Sequence, residues 1–461
     1  MAAEEFSSLP LGDAQQANLI AMGYSSMTPI QAASLPHLLA GRDVLARAKT
    51  GSGKTAAFGI ALVHRLRNLP TAVPQAVVLC PTRELVDQVV SELRLLARVR
   101  PNTRVLPLVG GRPMGAQKQS LLHGADLVVG TPGRVLDLLR RGAIVLRETR
   151  TLVLDEADRM LDMGFADDMD AIIAELPAAR QTLLFSATYP ETVAAMSRRV
   201  LREPLTVSVD TTHSAAAIEQ RFCETKPEDR REALLTLYRH FRPASSLVFC
   251  KTRRDCDVVA GFLRDHAIEC LALHGDLEQN ERDAVLAQFA NGSCPVLVAT
   301  DVAARGLDIP GLRAVFNYEL PRDTAVYLHR IGRTGRAGES GMAISLYAPA
   351  EASRLDAIAA ETDEPVRRLK LASLDSDPSF VLRGAMATIE VNAGRKQKLR
   401  PGDLLGALTG DGQIPGTSIG RISIFEQRTF VAVDRRHARQ AMAFLADGRV
   451  KGRRLRARRL R

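Results

Sequence analysis

Two short stretches concentrate the side chains able to do chemistry. The first, AKTGSGKT at residues 48–55, follows the apolar run VLAR. It fits the phosphate-loop pattern G-x-x-x-x-G-K-[ST], with Ala48 in the first position. Across Lys49, Thr50, Gly51, Ser52 and Gly53 the backbone would turn its N–H groups inward around phosphate oxygens. Lys54 would set a point charge against the outer phosphates, and Thr55 would offer a hydroxyl to Mg²⁺. The second, TLVLDEAD at 151–158, runs an apolar strand straight into Asp155, Glu156 and, one position on, Asp158. Like charges that close repel, so a cation must sit among them or they must face water. At the carboxyl end of a strand, where open α/β sheets bind ligands, Asp155 would hold Mg²⁺ opposite Thr55. Glu156 could then orient and deprotonate an attacking water. The positive charge expected there is the metal plus Lys54.

Holding such loops requires a sheet with buried strands. Short apolar runs recur as VLAR (44–47), AVVLC (76–80), DLVVG (126–130), TLVL (151–154) and TLLF (182–185), and again as SLVFC (246–250), CLAL (270–273), PVLVAT (295–300), AVFNY (314–318) and MAISLY (342–347). Continuous rather than alternating apolar strands imply burial on both faces, hence parallel sheets wrapped by helices. The fold class expected is α/β, with two parallel-sheet lobes over 1–208 and 219–370. The small polar stretch VSVDTTHSAAAIEQ (207–220), centred on 209–218, reads as their link. A second link, 371–384, leads to a β-α-β-β-α-β pattern over 385–461, a small α+β domain like an RNA-recognition motif.

With 461 residues, 46% of them hydrophobic, the chain has ample material for several cores. No basic and apolar leader opens it and no apolar run approaches the roughly 18 residues of a membrane span, so a cytoplasmic protein without a membrane partner is expected. The six cysteines (80, 223, 250, 256, 270, 294) lack metal-ligand spacing and read as reduced, buried thiols. Charge is lopsided. From Gly384 to Arg461 there are 17 Lys and Arg against 6 Asp and Glu, leaving 45 basic and 46 acidic residues in all the rest. A basic terminal module suggests a polyanionic partner.

The motif set resembles the DEAD-box RNA helicases over roughly residues 4–370. Besides the phosphate loop and LDEAD, it includes Phe6, GYSSMTPIQ (23–31), PTREL (81–85), GG (110–111), TPGR (131–134), SAT (186–188), ATDVAARGLDIP (299–310) and HRIGRTGR (329–336), in the family's order. Val86 is a small departure, where Ala is usual. The resemblance implies RecA-like P-loop folds for both lobes, and ATP and Mg²⁺ as cofactors. Gln31 would match the N6/N7 edge of adenine with one amide donor and one acceptor, and Tyr24 would pack on the base. Asp308 would receive the ribose hydroxyls. Arg333 and Arg336 would act as catalytic fingers on the γ-phosphate once the lobes close, worth about 10³–10⁵ in rate. Asp158, Ser186, Thr188 and His329 would couple the site to closure. RNA is expected across both lobes on the opposite side of the strand ends. Thr82, Arg83, Gly110, Gly111, Thr131, Gly133 and Arg134 of the first lobe, with Arg253 and Thr300 of the second, would touch its backbone rather than its bases.

The tail segments GRKQKLRPGDLLGALTG (394–410) and SIGRISIF (418–425) resemble the RNA-binding domain of the bacterial DbpA helicases. That resemblance implies a 23S rRNA hairpin as target, and precursor 50S particles as the site of action. Arg428 stands where a first stacking ring is expected, leaving Phe430 as the lone candidate, so basic residues carry the expectation: Arg395, Lys396, Lys398, Arg400, Arg421, Arg428, Lys451, Arg453 and Arg454. No protein partner is indicated, and a monomer is expected. An ATP-gated RNA clamp would use the same ATP site as a helicase, and strand displacement separates the two. A DNA helicase is disfavoured by the RNA-type motifs.

Overall fold

The computed structural model describes residues 5–48, 52–69, 73–208, 218–304, 312–335, 340–362 and 365–460, which fall into two compact units dividing near residue 212. In the first unit seven strands are described: β1 Val44–Arg47, β2 Ala76–Leu79, β3 Val105–Leu108, β4 Leu127–Gly130, β5 Thr151–Leu154, β6 Gln181–Ser186 and β7 Leu205–Ser208. They form one parallel sheet in the order β3-β4-β2-β5-β6-β1-β7. Successive side chains leave a strand on opposite faces, and both faces are covered. Val44, Ala46, Val78 and Val153 enter one core with the helices Lys54–Arg65 and Arg83–Leu96. Leu45, Val77, Leu152 and Leu154 enter the other with Val135, Met160 and Ile172. Val86, the departure noted in the sequence, is fully buried in the first of these cores.

The second unit holds another seven described strands: β8 Ile218–Glu224, β9 Ser246–Cys250, β10 Cys270–Leu273, β11 Val296–Thr300, β12 Ala314–Asn317, β13 Gly341–Tyr347 and β14 Arg368–Leu369. They too are parallel, in the order β10-β11-β9-β12-β13-β8-β14. All ten apolar runs read from the sequence are strands. Four others went unread (β3, β7, β8 and β14), and two of these cut into the expected links. Val207 and Ser208 lie in β7, and Ile218 to Gln220 lie in β8. The second expected link is packed as well, with Leu371, Leu374 and Leu382 against the second lobe's core. All six cysteines are buried and free.

The same unit ends in an antiparallel sheet of β15 Met386–Val391, β16 Ile419–Ile424, β17 Thr429–Asp434 and β18 Ala457–Arg459, ordered β16-β17-β15-β18. Helices Pro401–Thr409 and Ala438–Asp447 complete the expected β-α-β-β-α-β succession. One face of this sheet, with Ile389, Val391, Val431 and Val433, packs on Leu404, Leu408, Ala441 and Leu445 of those helices. The other face meets the second lobe, as described below. Among the described residues no helix is long and apolar enough to cross a membrane.

Candidate ATP site and RNA interface

The phosphate loop emerges from the carboxyl end of β1 and enters the helix Lys54–Arg65 through Gly53. Gly53 has φ +93°, and a Cβ there would lie 2.5 Å from Gln31 Nε2, so geometry and space both demand glycine. Gln31 is buried at 1% exposure in the helix Pro29–Leu39. Its Oε1 accepts from the backbone N of Thr28 (2.9 Å) and its Nε2 donates to Gly53 O (3.1 Å), while Thr28 Oγ1 donates to Ser52 O (2.8 Å). The first partners of the Gln31 amide are therefore its own helix cap and the loop, which leaves one N–H and one lone pair for a base. Lys54 is buried and donates to Ala48 O at 2.9 Å. Phe6 packs edge-on against Tyr24 at 5.9 Å, and the Tyr24 hydroxyl donates to Glu92 Oε1 at 2.5 Å. Lys49, Thr50 and Gly51 lie outside the described residues, as do Asp308 and Arg336.

Asp155 follows β5 and is 2% exposed, with Oδ1 lacking any hydrogen-bond partner among the described residues. Burial pushes its carboxyl up from 3.8 to about 6, the nearby Lys54 ammonium pulling it back and Glu156 pushing it further. An orphaned, buried carboxylate oxygen close to Lys54 and the phosphate loop suits a hard cation. Mg²⁺ keeps waters and takes phosphate oxygens, so it needs no larger acidic cluster. No group of three or more potential His, Cys, Asp or Glu ligands occurs among the described residues. Glu156 has φ +53°, a left-handed conformation that costs a non-glycine residue about 1–2 kcal/mol. Its carboxylate is fixed by Arg159 Nη1 at 2.7 Å, both side chains being 4% exposed. The cation among the acids is thus partly supplied by the chain, at Arg159 as well as Lys54. Sequence reasoning missed Arg159, although its place one position after the third acid was a usable signal.

The coupling residues of the first lobe converge. Asp158 Oδ2 accepts from the backbone N (2.8 Å) and the hydroxyl (2.7 Å) of Thr188, and Ser186 Oγ donates to Thr188 O (2.6 Å). In the second unit His329 lies on the helix Thr324–Ile331, and Arg333 just beyond it is 5% exposed. Between them Arg330, also missed, is the anchor of that motif. It is bidentate to Asp301 (2.7 Å to each oxygen) and bonded to Asn317 Oδ1 (3.1 Å) and Glu319 O (2.9 Å).

The first lobe's RNA candidates come together at the carboxyl ends of β2, β3 and β4. This corrects the expectation that they lie on the opposite side of the strand ends: they share the nucleotide loop's edge, displaced along the sheet. Thr82 caps the helix Arg83–Leu96, its hydroxyl accepting from Leu85 N, and Thr131 precedes the helix Pro132–Arg140. Two helix N-termini facing one edge make a site for phosphates. Arg83 lies over Gly110 and Gly111, where a Cβ on Gly111 would meet Arg83 Nη1 at 2.0 Å. These glycines thus make room for an arginine of the chain itself. Arg134 donates to Arg112 O (3.1 Å), and a Cβ on Gly133 would come within 3.4 Å of Asp168. In the second lobe Arg253 is paired with Asp276, and Thr300 ends β11, where it accepts from Ala303 N.

In the tail, Arg428 is corrected. It does not face outward but donates to Asn280 O of the second lobe (3.3 Å) and pairs with Glu390 (3.5 Å). The sheet face it belongs to, opposite the helices, is covered. Asn291 Nδ2 donates to Thr388 Oγ1 (2.8 Å), and that hydroxyl lies 2.8 Å from Ser293 Oγ. Arg435 pairs with Glu269, which also accepts from Gly384 N (3.0 Å). Phe430, the stacking candidate, is fully buried. The open basic residues lie elsewhere. Lys451 Nζ donates to Lys398 O (3.1 Å) and meets Asp403 (3.3 Å), joining Lys398, Arg400 and Lys451 beside the N-terminus of the helix Pro401–Thr409. Arg395 and Lys396 precede this cluster in the chain, Arg453 and Arg454 follow it, and all are exposed. Arg421 is exposed on β16, with no contact to the group among the described residues.

Family models match in the same order: DEAD/DEAH box helicase over residues 28–196, helicase conserved C-terminal domain over 229–338, and DbpA RNA binding domain over 388–459. The chain is 50% identical over 449 residues to the ATP-dependent RNA helicase DbpA of Escherichia coli, covering 97% of each. It is 42% identical over 355 residues to the DEAD-box ATP-dependent RNA helicase CshA of Geobacillus kaustophilus, covering 77% of this chain and 76% of that one. Among solved structures, S. cerevisiae Dbp5 bound to RNA and ADP BeF3 is similar with TM-score 0.73 and 34% identity, over 80% of this chain and 96% of that one. With its buried acids beside a phosphate-loop lysine and its basic tail, the chain belongs to the DEAD-box ATP-dependent RNA helicases and carries an RNA-binding domain of the DbpA type.

Proposed function

We propose that this helicase locally unwinds short RNA duplexes and that its tail directs it to 23S rRNA in precursor 50S particles, acting as a cytoplasmic monomer. The observation that carries the targeting is the tail's division of surfaces. Its sheet face is used up on the second lobe, while Lys398, Arg400 and Lys451 stand open around a helix N-terminus. Such a rim takes phosphates of a folded RNA by charge and shape.

In the first lobe, Lys54 and the loop N–H groups bind and orient the triphosphate, with Gln31 and Tyr24 at the base. Glu156, held by Arg159, takes the proton of the attacking water. Asp155 and Thr55 would hold Mg²⁺, which supplies charge neutralisation on the phosphates. Arg333 and Arg336 act on the γ-phosphate, Asp308 on the ribose. RNA gripped by its backbone promotes this step, and its release after hydrolysis resets the enzyme.

Triple charge reversal at the rim (Lys398→Glu, Arg400→Glu, Lys451→Glu) in the full chain tests the targeting. ATPase stimulation by a large-subunit rRNA fragment should then need about 10-fold or more RNA, several phosphate contacts being lost. Stimulation by a homopolymer RNA should hold. Unchanged response to the rRNA fragment refutes the targeting, and failure to displace a short duplex beside it refutes the unwinding.

A further inference from the structure

The amino edge of the first sheet, opposite the nucleotide loop, carries a second concentration of cations. The helix Lys54–Arg65 ends there, and β2 and β5 begin there at Ala76 and Thr151. Arg65, Arg67, Arg150 and His64 line a cleft of about 270 Å³. No acid lines it. Gln75, also in the wall, spends its amide on the backbone N (2.8 Å) and O (3.0 Å) of Arg67. Arg65 lies against Gly41, where a Cβ would meet Nη1 at 2.6 Å, and its buried Nε has no hydrogen-bond partner among the described residues. Burial and then the charges of Arg150 and Arg67 push the Arg65 guanidinium below its ordinary range. Burial, Arg65 and Arg100 do the same to His64. Among the described residues no ion pair offsets this crowding. A second cleft of about 470 Å³ shares Leu66 and Arg67 and adds Arg100, Arg104 and His123. Its one acid among the described residues, Asp126, already accepts from Arg104 N (2.8 Å).

We propose that these joined clefts form a second RNA-backbone site, taking phosphates of a segment outside the strand gripped at the carboxyl edge. Guanidinium forks match phosphate oxygens. The cations continue from one cleft into the next through Arg67, so a chain of phosphates fits where a lone anion would leave half the groove unfilled. This rests on RNA being the substrate, which family membership supplies, and goes beyond the tail's targeting.

The test compares the full-length protein with Arg67→Gln/Arg150→Gln and with Arg67→Lys/Arg150→Lys. Binding of a long structured RNA and of a short single strand is measured across salt concentrations. For the Gln variant, long-RNA affinity should fall about 5–20-fold, and the log–log salt slope should drop by about 1.4–1.8, at about 0.7–0.9 for each of two phosphates lost. Short-strand affinity and ATPase at saturating short RNA should not change, and the Lys variant should keep the slope. An unchanged long-RNA slope overturns the proposal, as does equal loss for both RNAs. Displacement of a polyglutamate peptide, rather than RNA, by the Gln substitutions overturns it in favour of an acidic protein partner. Loss of stimulation by every RNA would instead strike the substrate reading.

Discussion

Asp155 sets burial against charge. Its carboxyl titrates near 6 in the fold against an ordinary 3.8, because burial outweighs the attraction of Lys54. A folded value raised above the unfolded one stabilises the protein only while the group stays protonated. In metal-free protein that contribution is complete below about 3.8 and disappears as pH rises through about 6. Compared with wild type, Asp155→Asn should therefore gain stability on the order of 2 kcal/mol between pH 4 and pH 6. Urea unfolding of both proteins with chelator present measures it, and parallel pH profiles would contradict it. At this scale the sequence was legible wherever a residue type sits in a rigid motif, as Lys54, Gln31 and the acids do. Arg159 offered only its place beside the acids, which fits a solvated face as well, and Arg330, flanked by His329 and Ile331, carries no local sign of an acid partner. Only the folded partners, buried Glu156 and half-buried Asp301, reveal what each holds.

Secondary-structure elements divide in the same way. Strands buried on both faces announce themselves by continuous apolar runs. β3 and β7 are the two edges of their sheet, and β14 is an edge of the second. β3 contains Pro107, tolerable at an edge where one side of the ladder is unused, and β7 and β8 alternate polar residues with buried ones. Nothing local in Thr388, Asn291 or Ser293 marks them as partners, since the contact joins two domains some 97 residues apart in the chain. Arg428 was misread for the same reason. Thr388→Val removes the shared hydroxyl and leaves Asn291 and Ser293 short of a partner, costing about 1–3 kcal/mol. Hydrogen exchange at Leu382 and Gly384, whose amides bond to the second lobe, should then quicken about 5–100-fold while β17 stays protected. Unchanged exchange at both amides would show that the contact does not hold the tail in place.

Across the whole molecule the charge is divided as the work is proposed to be. The helicase lobes are near neutrality and are proposed to grip RNA with caps and a few arginines, while the excess of basic residues lies in the tail. Hydrolysis is proposed to need both lobes, with metal-holding acids from one and guanidiniums from the other. RNA-stimulated single-turnover ATP hydrolysis by Arg333→Lys, with ATP affinity and thermal unfolding measured alongside, tests this most directly. The proposed division predicts hydrolysis slowed about 10³-fold or more, with ATP affinity and folding nearly unchanged. Hydrolysis within a few-fold of wild type would contradict it.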